Sequence, residues 1–319
     1  MKKLYLYSAL LAILCAGAAS CSKDDIEEES VIVDSALQKN DFDRWLDTHF
    51  LGPYNIDFKY RYEGNESDLP YRTVPAEYHQ AVKMAHLVKY ICIDSFVKAG
   101  GTDFVKMYFP RMFYCIGTWE FNSDGTYTLG HAENGNLIML AGVNYIDEVM
   151  SSKFPNLVRG NLKTYYLKTI LHEFTHILNQ TKKYPSAFAQ VTPGYVLSDW
   201  ANHPEGSVEH YLKGFITDYS MYSEEEDFAE MLSEYLLTSQ KDWDAIKDIR
   251  YYTRTPDGSV TTAAIGDGDG FNLINAKLEI VRTYMKEVFS IDIEALRNDI
   301  QDRIEMIVKG YADLENLDN

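Results

Sequence analysis

Past its first 20 residues the chain has no apolar run approaching the roughly 20 residues that carry a helix across a bilayer, so no helical span is expected there. Cysteine is scarce: there are four, and Cys15 and Cys21 both belong to the N-terminal segment. Cys92 and Cys115 remain, which allows one disulfide or two buried thiols but, this far apart in the chain, no metal site. Positive charge is also short. Against 48 Asp and Glu stand 30 Lys and Arg, a formal net charge of -18. A nucleic-acid partner needs a concentrated positive surface to release counterions, so nucleic acid is not expected as a partner. No internal repeat or low-complexity tract is present, and 319 residues support one large or two modest domains.

What is present begins with Lys2 and Lys3, an apolar run from Leu4 to Ala19, and small residues before Cys21. That order reads as an export signal over residues 1–20, too short and wrongly flanked for a membrane span. Cleavage after Ser20 exposes Cys21 as a new N-terminus for lipid attachment, and the segment resembles bacterial lipoprotein signals. Ser22-Lys23-Asp24-Asp25, with Glu27, Glu28 and Glu29 behind it, resembles the acidic export signal of surface lipoproteins in Bacteroides-like bacteria. A charged, aromatic-free stretch cannot bury enough surface to fold, so residues 21–33 read as a tether.

Phe42, Trp45, Leu46 and Phe50 recur at helical spacing over residues 34–50, with Asp34 or Ser35 as the expected cap and Gly52-Pro53 as the expected stop. A second helix is expected over 75–98, ending at Gly100-Gly101, and the two make residues 34–104 an N-terminal helical region. From 107 to 143 the pattern changes to short apolar runs punctuated by Asp124-Gly125 and Asn134-Gly135, which predicts a small antiparallel sheet. Gly130 and Gly135 suit close backbone approach near an edge that can pair with an extended peptide. Helical pattern returns over 162–181, and further helices are expected at 205–214, 224–239, 271–288 and 291–309. Asp267-Gly268-Asp269-Gly270 lacks the length and terminal glutamate of a calcium loop and reads as a turn. The fold class is α+β, mainly helical, with a small mixed or antiparallel sheet. Residues 105–319 form its catalytic region, either separate from 34–104 or continuous with it.

The chemistry concentrates at His172-Glu173-Phe174-Thr175-His176. Residues four apart lie one turn apart on one helix face, so His172 and His176 can present two imidazoles to one Zn2+ ion. Glu173 falls beside that pair, where a carboxylate can take a proton from water attacking a carbonyl. Ile170, Leu171, Ile177 and Leu178 set the motif in an apolar helix, where uncoordinated histidines would be poorly solvated. Catalytic zinc needs a third protein ligand, and Ile177 to Lys182 offer none. The best source is the run Glu225 to Leu232. Ser223 is the expected N-cap, Glu226 sits where it can complete a capping box, and Glu226 and Glu230 lie one turn apart. One of them can hold metal while the other accepts a proton from a ligand imidazole. His131, His203 and His210 have no such partner pattern and read as structural.

On these residues the chain resembles the zinc-binding peptidase lipoproteins found beside TonB-dependent nutrient importers of Bacteroides-like bacteria, from about residue 30 to the C-terminus. Its catalytic half is similar to the catalytic domain of anthrax lethal factor, a gluzincin-like protease. The segment from Asp218-Tyr219-Ser220 through Phe228-Ala229-Glu230 carries the second likeness. The resemblance implies a zincin-like fold with the sheet beside the His-Glu-x-x-His helix. It further implies Tyr219 as an oxyanion donor, Glu226 as the third ligand and Glu230 as the orienting carboxylate. Asp227 stands where the toxin has an aromatic residue, which leaves open whether Glu226, Asp227 or Glu230 faces the metal.

The function expected is zinc-dependent hydrolysis of peptide bonds in extracellular protein or glycoprotein, by an outer-membrane lipoprotein exposed on the cell surface. A TonB-dependent importer complex is the partner that the resemblance implies. Two other readings stay open: a non-hydrolytic importer accessory with structural zinc, which four protein ligands would mark, and hydrolysis of a non-peptide amide.

Overall fold

The computed structural model describes residues 38–62, 73–121, 127–128, 132–133, 136–197 and 207–318, with backbone alone for 120–121, 127–128 and 132–133. The signal, Cys21 and the whole acidic tether, Asp34, Ser35, Gly130, His131, Asn134, Gly135 and His203 lie outside the described residues. Residues 40–319 cluster as one unit and residues 1–39 as another, of which only 38 and 39 are described.

Helix α1 (Asp41–Leu46) begins later than its apolar spacing predicts, because Asn40 supplies the cap. Asn40 Oδ1 accepts from Asp43 N–H at 2.8 Å while Asp43 Oδ2 accepts from Asn40 N–H at 2.8 Å. Two orphan amides are thereby satisfied at once. The helix widens through Asp47–Leu51 and runs on past Pro53 to Tyr54, where Asn55 takes a left-handed conformation. The expected stop at Gly52-Pro53 is thus corrected: proline is tolerated there in a new first turn.

Strand β1 (Asp57–Lys59) follows, inside the region read as helical. Helix α2 (Tyr78–Leu87) passes through a wide turn into α3 (Asp94–Tyr108). Gly101, at φ 83°, kinks α3 where the sequence predicts an end. Strands β2 (Met112–Cys115), β3 (Glu120–Phe121), β4 (Tyr127–Thr128), β5 (Ala132–Glu133) and β6 (Leu137–Leu140) come next. The four-stranded sheet has the order β1-β2-β6-β5. β1 pairs with β2 in parallel, β2 pairs with β6 in parallel, and only β5 runs antiparallel to β6. The sheet is therefore mixed and largely parallel rather than antiparallel: helices α2 and α3 return the chain between β1 and β2, and the strands β3 to β5 lie between β2 and β6. A separate antiparallel pair, β3 and β4, lies on either side of Asp124-Gly125 in the chain, and those two residues are outside the described ones.

Cys92 and Cys115 are both buried free thiols, and burial pushes the Cys92 thiol up to about 12. This settles the alternative left by the sequence in favour of two inert thiols.

After Pro155–Leu162 and another wide turn, α4 (Lys168–Thr181) carries both histidines. Its apolar face explains its path. Phe174 packs on Phe109 at 4.3 Å and on Phe96 at 4.9 Å between ring centroids. Ile170, Leu171 and Leu178 are buried beside it. Full burial of each such side chain contributes about 1.5–3 kcal/mol, enough to fix which face of α4 looks outward. Helix α5 (Glu224–Leu237) crosses it and buries Phe228, Met231, Leu232 and Tyr235. Helices α6 (Gly270–Phe289) and α7 (Ile293–Val308) complete the helical part. Before them, β7 (Arg250–Arg254) and β8 (Val260–Ala264) form an antiparallel hairpin that the sequence reading missed. Its signal was Pro256-Asp257-Gly258 between strands with β-branched residues, with Gly258 at φ 86°.

Candidate metal centre

Two crossing helices, α4 and α5, bring the centre together from opposite sides. His172 and His176 leave α4 one turn apart, and their Nε2 atoms lie 3.1 Å from each other. Glu226, in the first turn of α5, places Oε2 at 2.9 Å from His172 Nε2 and 3.3 Å from His176 Nε2. Among the described residues these three form the cluster able to hold a metal, with ligand atoms all within 4.8 Å of one another.

The donor set fits zinc. Bonds of about 2.0–2.1 Å in a tetrahedron separate ligand atoms by roughly 3.3 Å, close to the spacings found. Two imidazoles and one carboxylate are also a common catalytic set that leaves a position open.

Glu230, one turn further along α5, is buried and takes the other nitrogen of His172: Nδ1 lies 2.9 Å from Oε1. An ionised carboxylate only accepts, so Nδ1 carries a proton, and Nε2, which faces Glu226, is the nitrogen that a cation would take in place of a proton. Glu230 Oε2 receives Thr217 Oγ1–H at 2.6 Å and Lys168 Nζ at 2.8 Å. Burial works against charge on Glu230, but Lys168 and His172 outweigh it and hold its carboxyl below the ordinary range. Burial opposes the charged forms of His172 and Glu226 too. Hydrogen bonding nevertheless raises His172 to about 9 and lowers Glu226 to about 2. A cation entering the centre therefore competes with a proton.

The expected capping box does not form: Ser223 Oγ accepts from Glu226 N–H at 3.3 Å, but the Glu226 carboxylate turns to the histidines instead of back to the cap. Asp227 points elsewhere altogether. Its Oδ2 lies 2.5 Å from Lys277 Nζ and accepts from the Tyr195 hydroxyl at 3.0 Å. Burial lifts its carboxyl to about 6 despite the lysine.

Glu173 is half-buried on the histidine helix and close enough to His172 and Tyr219 to act on both electrostatically. The Tyr219 ring sits 5.9 Å from the His172 ring, and its hydroxyl hydrogen-bonds with Glu226. Burial, reinforced by Glu226, Glu230 and Glu173, raises the phenol well above its ordinary range, so it stays a donor. His210 faces Asp218 at 3.2 Å and is not one of the three clustered groups. The sequence reading missed Lys168, Thr217 and Lys277. Only Lys168 left a local signal, four residues before His172 on the same face.

A family model described as "Putative zinc-binding metallo-peptidase" matches residues 35–294. A crystal structure of "a putative zinc-binding metallo-peptidase from Bacteroides caccae ATCC 43185" is 31% identical, with 90% of this chain and 100% of that chain covered and a TM-score of 0.69. A search of curated proteins found no match.

Proposed function

The chain belongs to this zinc-binding metallo-peptidase family, and we propose that it hydrolyses peptide bonds in extracellular protein or glycoprotein. The observation that carries the reading is the convergence of His172 Nε2, His176 Nε2 and Glu226 Oε2 beside Glu173. Those three residues would hold zinc, which supplies a Lewis acid for a carbonyl oxygen and makes nearby water more acidic.

The remaining steps fall to the protein. Glu173 takes the proton of the attacking water and passes it to the leaving amine. Tyr219, kept protonated, donates to the carbonyl oxygen as negative charge develops there. Glu230 keeps His172 in the tautomer whose Nε2 faces the centre. The sequence before residue 34 supports a lipid anchor at Cys21 and exposure on the outer membrane. The likeness to lipoproteins beside TonB-dependent importers supports such an importer as the partner.

The test is zinc content and cleavage of a mixed peptide library by untagged protein and its Glu173→Gln variant. One zinc per chain, cleavage by the parent and loss of cleavage in the variant are expected. A variant as fast as an active parent would overturn the role of Glu173. A parent that holds zinc but cleaves nothing would favour an accessory role.

A further inference from the structure

We propose that Thr217 is a positioning residue: through Glu230 it sets the turn that carries Tyr219 against the metal-binding histidine. The inference rests on the peptidase reading, in which Tyr219 meets the developing oxyanion. Its basis is the accounting of one hydroxyl. Thr217 Oγ1 lies 2.6 Å from Glu230 Oε2, an acceptor only, so its single proton goes there. Its lone pairs face Ser220, accepting from the backbone N–H at 3.1 Å and lying 3.0 Å from the side-chain oxygen. Thr217 N–H in turn donates to Ser220 Oγ at 3.3 Å, and Ser220 is fully buried.

These bonds close the turn 217–220 around Asp218 and Tyr219. Two backbone bonds continue it, Met221 N–H to Asp218 O at 3.1 Å and Tyr222 N–H to Tyr219 O at 3.0 Å. Glu230 is therefore shared. One of its oxygens orients His172 and the other anchors the turn that presents Tyr219. The two groups that must agree in position during the reaction are referenced to one buried carboxylate. An error of about 1 Å in such a group can cost on the order of 100-fold in rate. Thr217→Val removes the hydroxyl at nearly constant volume, and Lys168 at 2.8 Å still compensates Glu230, so the fold should hold.

The experiment is a double-mutant cycle of Thr217→Val and Tyr219→Phe, with Thr217→Ser as the conservative control. Zinc content should stay at one per chain in all five proteins. Acetohydroxamate, which binds zinc and offers a carbonyl oxygen to Tyr219, serves as a probe that needs no turnover. Tyr219→Phe and Thr217→Val should each weaken it by about 10-fold, and the double variant should bind no worse than Tyr219→Phe alone. Thr217→Ser should restore binding to within about threefold. In cleavage assays Thr217→Val should lower kcat and leave KM nearly unchanged.

In zinc-free protein, Thr217→Val should speed hydrogen exchange at the Ser220 amide by roughly 10-fold or more. Additive losses in the cycle, or no rescue by serine, would overturn the proposal. So would unchanged exchange at Ser220, whatever the zinc content. A parent that binds acetohydroxamate but cleaves no peptide would instead sink the peptidase reading, while the cycle still decides the role of Thr217.

Discussion

Lys277 Nζ lies 2.5 Å from Asp227 Oδ2, with neither side chain exposed to solvent. The pair decides which carboxylate of the acidic turn faces the histidines. Asp227 and Glu226 are adjacent in sequence and so leave α5 about 100° apart. Lys277 on α6, with its ammonium also 3.9 Å from the centre of the Phe215 ring, draws Asp227 away from the centre. Glu226 is left to face it.

Removing one partner of such a pair leaves an uncompensated buried charge. Lys277→Met should therefore cost about 3–5 kcal/mol of stability, read from denaturant midpoints. Asp227→Asn combined with Lys277→Met should recover part of that loss. A single variant less than about 1 kcal/mol below the parent would show that the pair does not anchor α5.

Glu226→Gln should weaken zinc retention, because an amide oxygen is a poorer partner for a dication than a carboxylate. Glu230→Gln should leave the three ligands in place and cost roughly 10-fold to 100-fold in metal affinity or activity. Elemental analysis after dialysis against a graded chelator separates the two. If Glu226→Gln holds zinc tightly while Glu230→Gln loses it, the ligand has been assigned one turn too early.

Cys21→Ala should abolish acylation and release folded protein from the membrane fraction. Detergent partition of the whole chain reads this directly. Unchanged membrane attachment would sink the anchor at Cys21.

Asp299, on α7, meets Lys98 at 2.5 Å and Arg303 at 2.6 Å. Burial raises its carboxyl, but the hydrogen-bonded cations Lys98 and Arg303 hold it below the ordinary range. A depressed carboxyl contributes stability that is present above the ordinary carboxylate range and is lost as pH falls through the lowered value. Asp299→Asn should cost about 1–2 kcal/mol at neutral pH, since the Lys98 arm is screened by solvent. The difference from the parent should shrink in acid, as measured by urea unfolding at several pH values. A gap independent of pH would rule out an ionic origin.

Several features were legible without coordinates because they are local. The apolar stripe of α4, the acidic start of α5 and its Ser223 cap all follow from spacing along one helix. What was misread depends on distant partners. Asp57 to Lys59 become a strand because Met112 to Tyr114 pair with them, and nothing within residues 34–104 announces that. The second role of Glu230 needed Thr217 and Lys168, the latter 62 positions away on another helix.

The sequence by itself determined that His172 and His176 share a face and that Glu173 lies beside them, since a helical period of 3.6 leaves no other arrangement. It could not choose among Glu226, Asp227 and Glu230. That choice belongs to tertiary structure, because it turns on how α5 is rotated against α4. The rotation is fixed by burial of Phe228, Met231 and Leu232 and by the lysine that holds Asp227 aside.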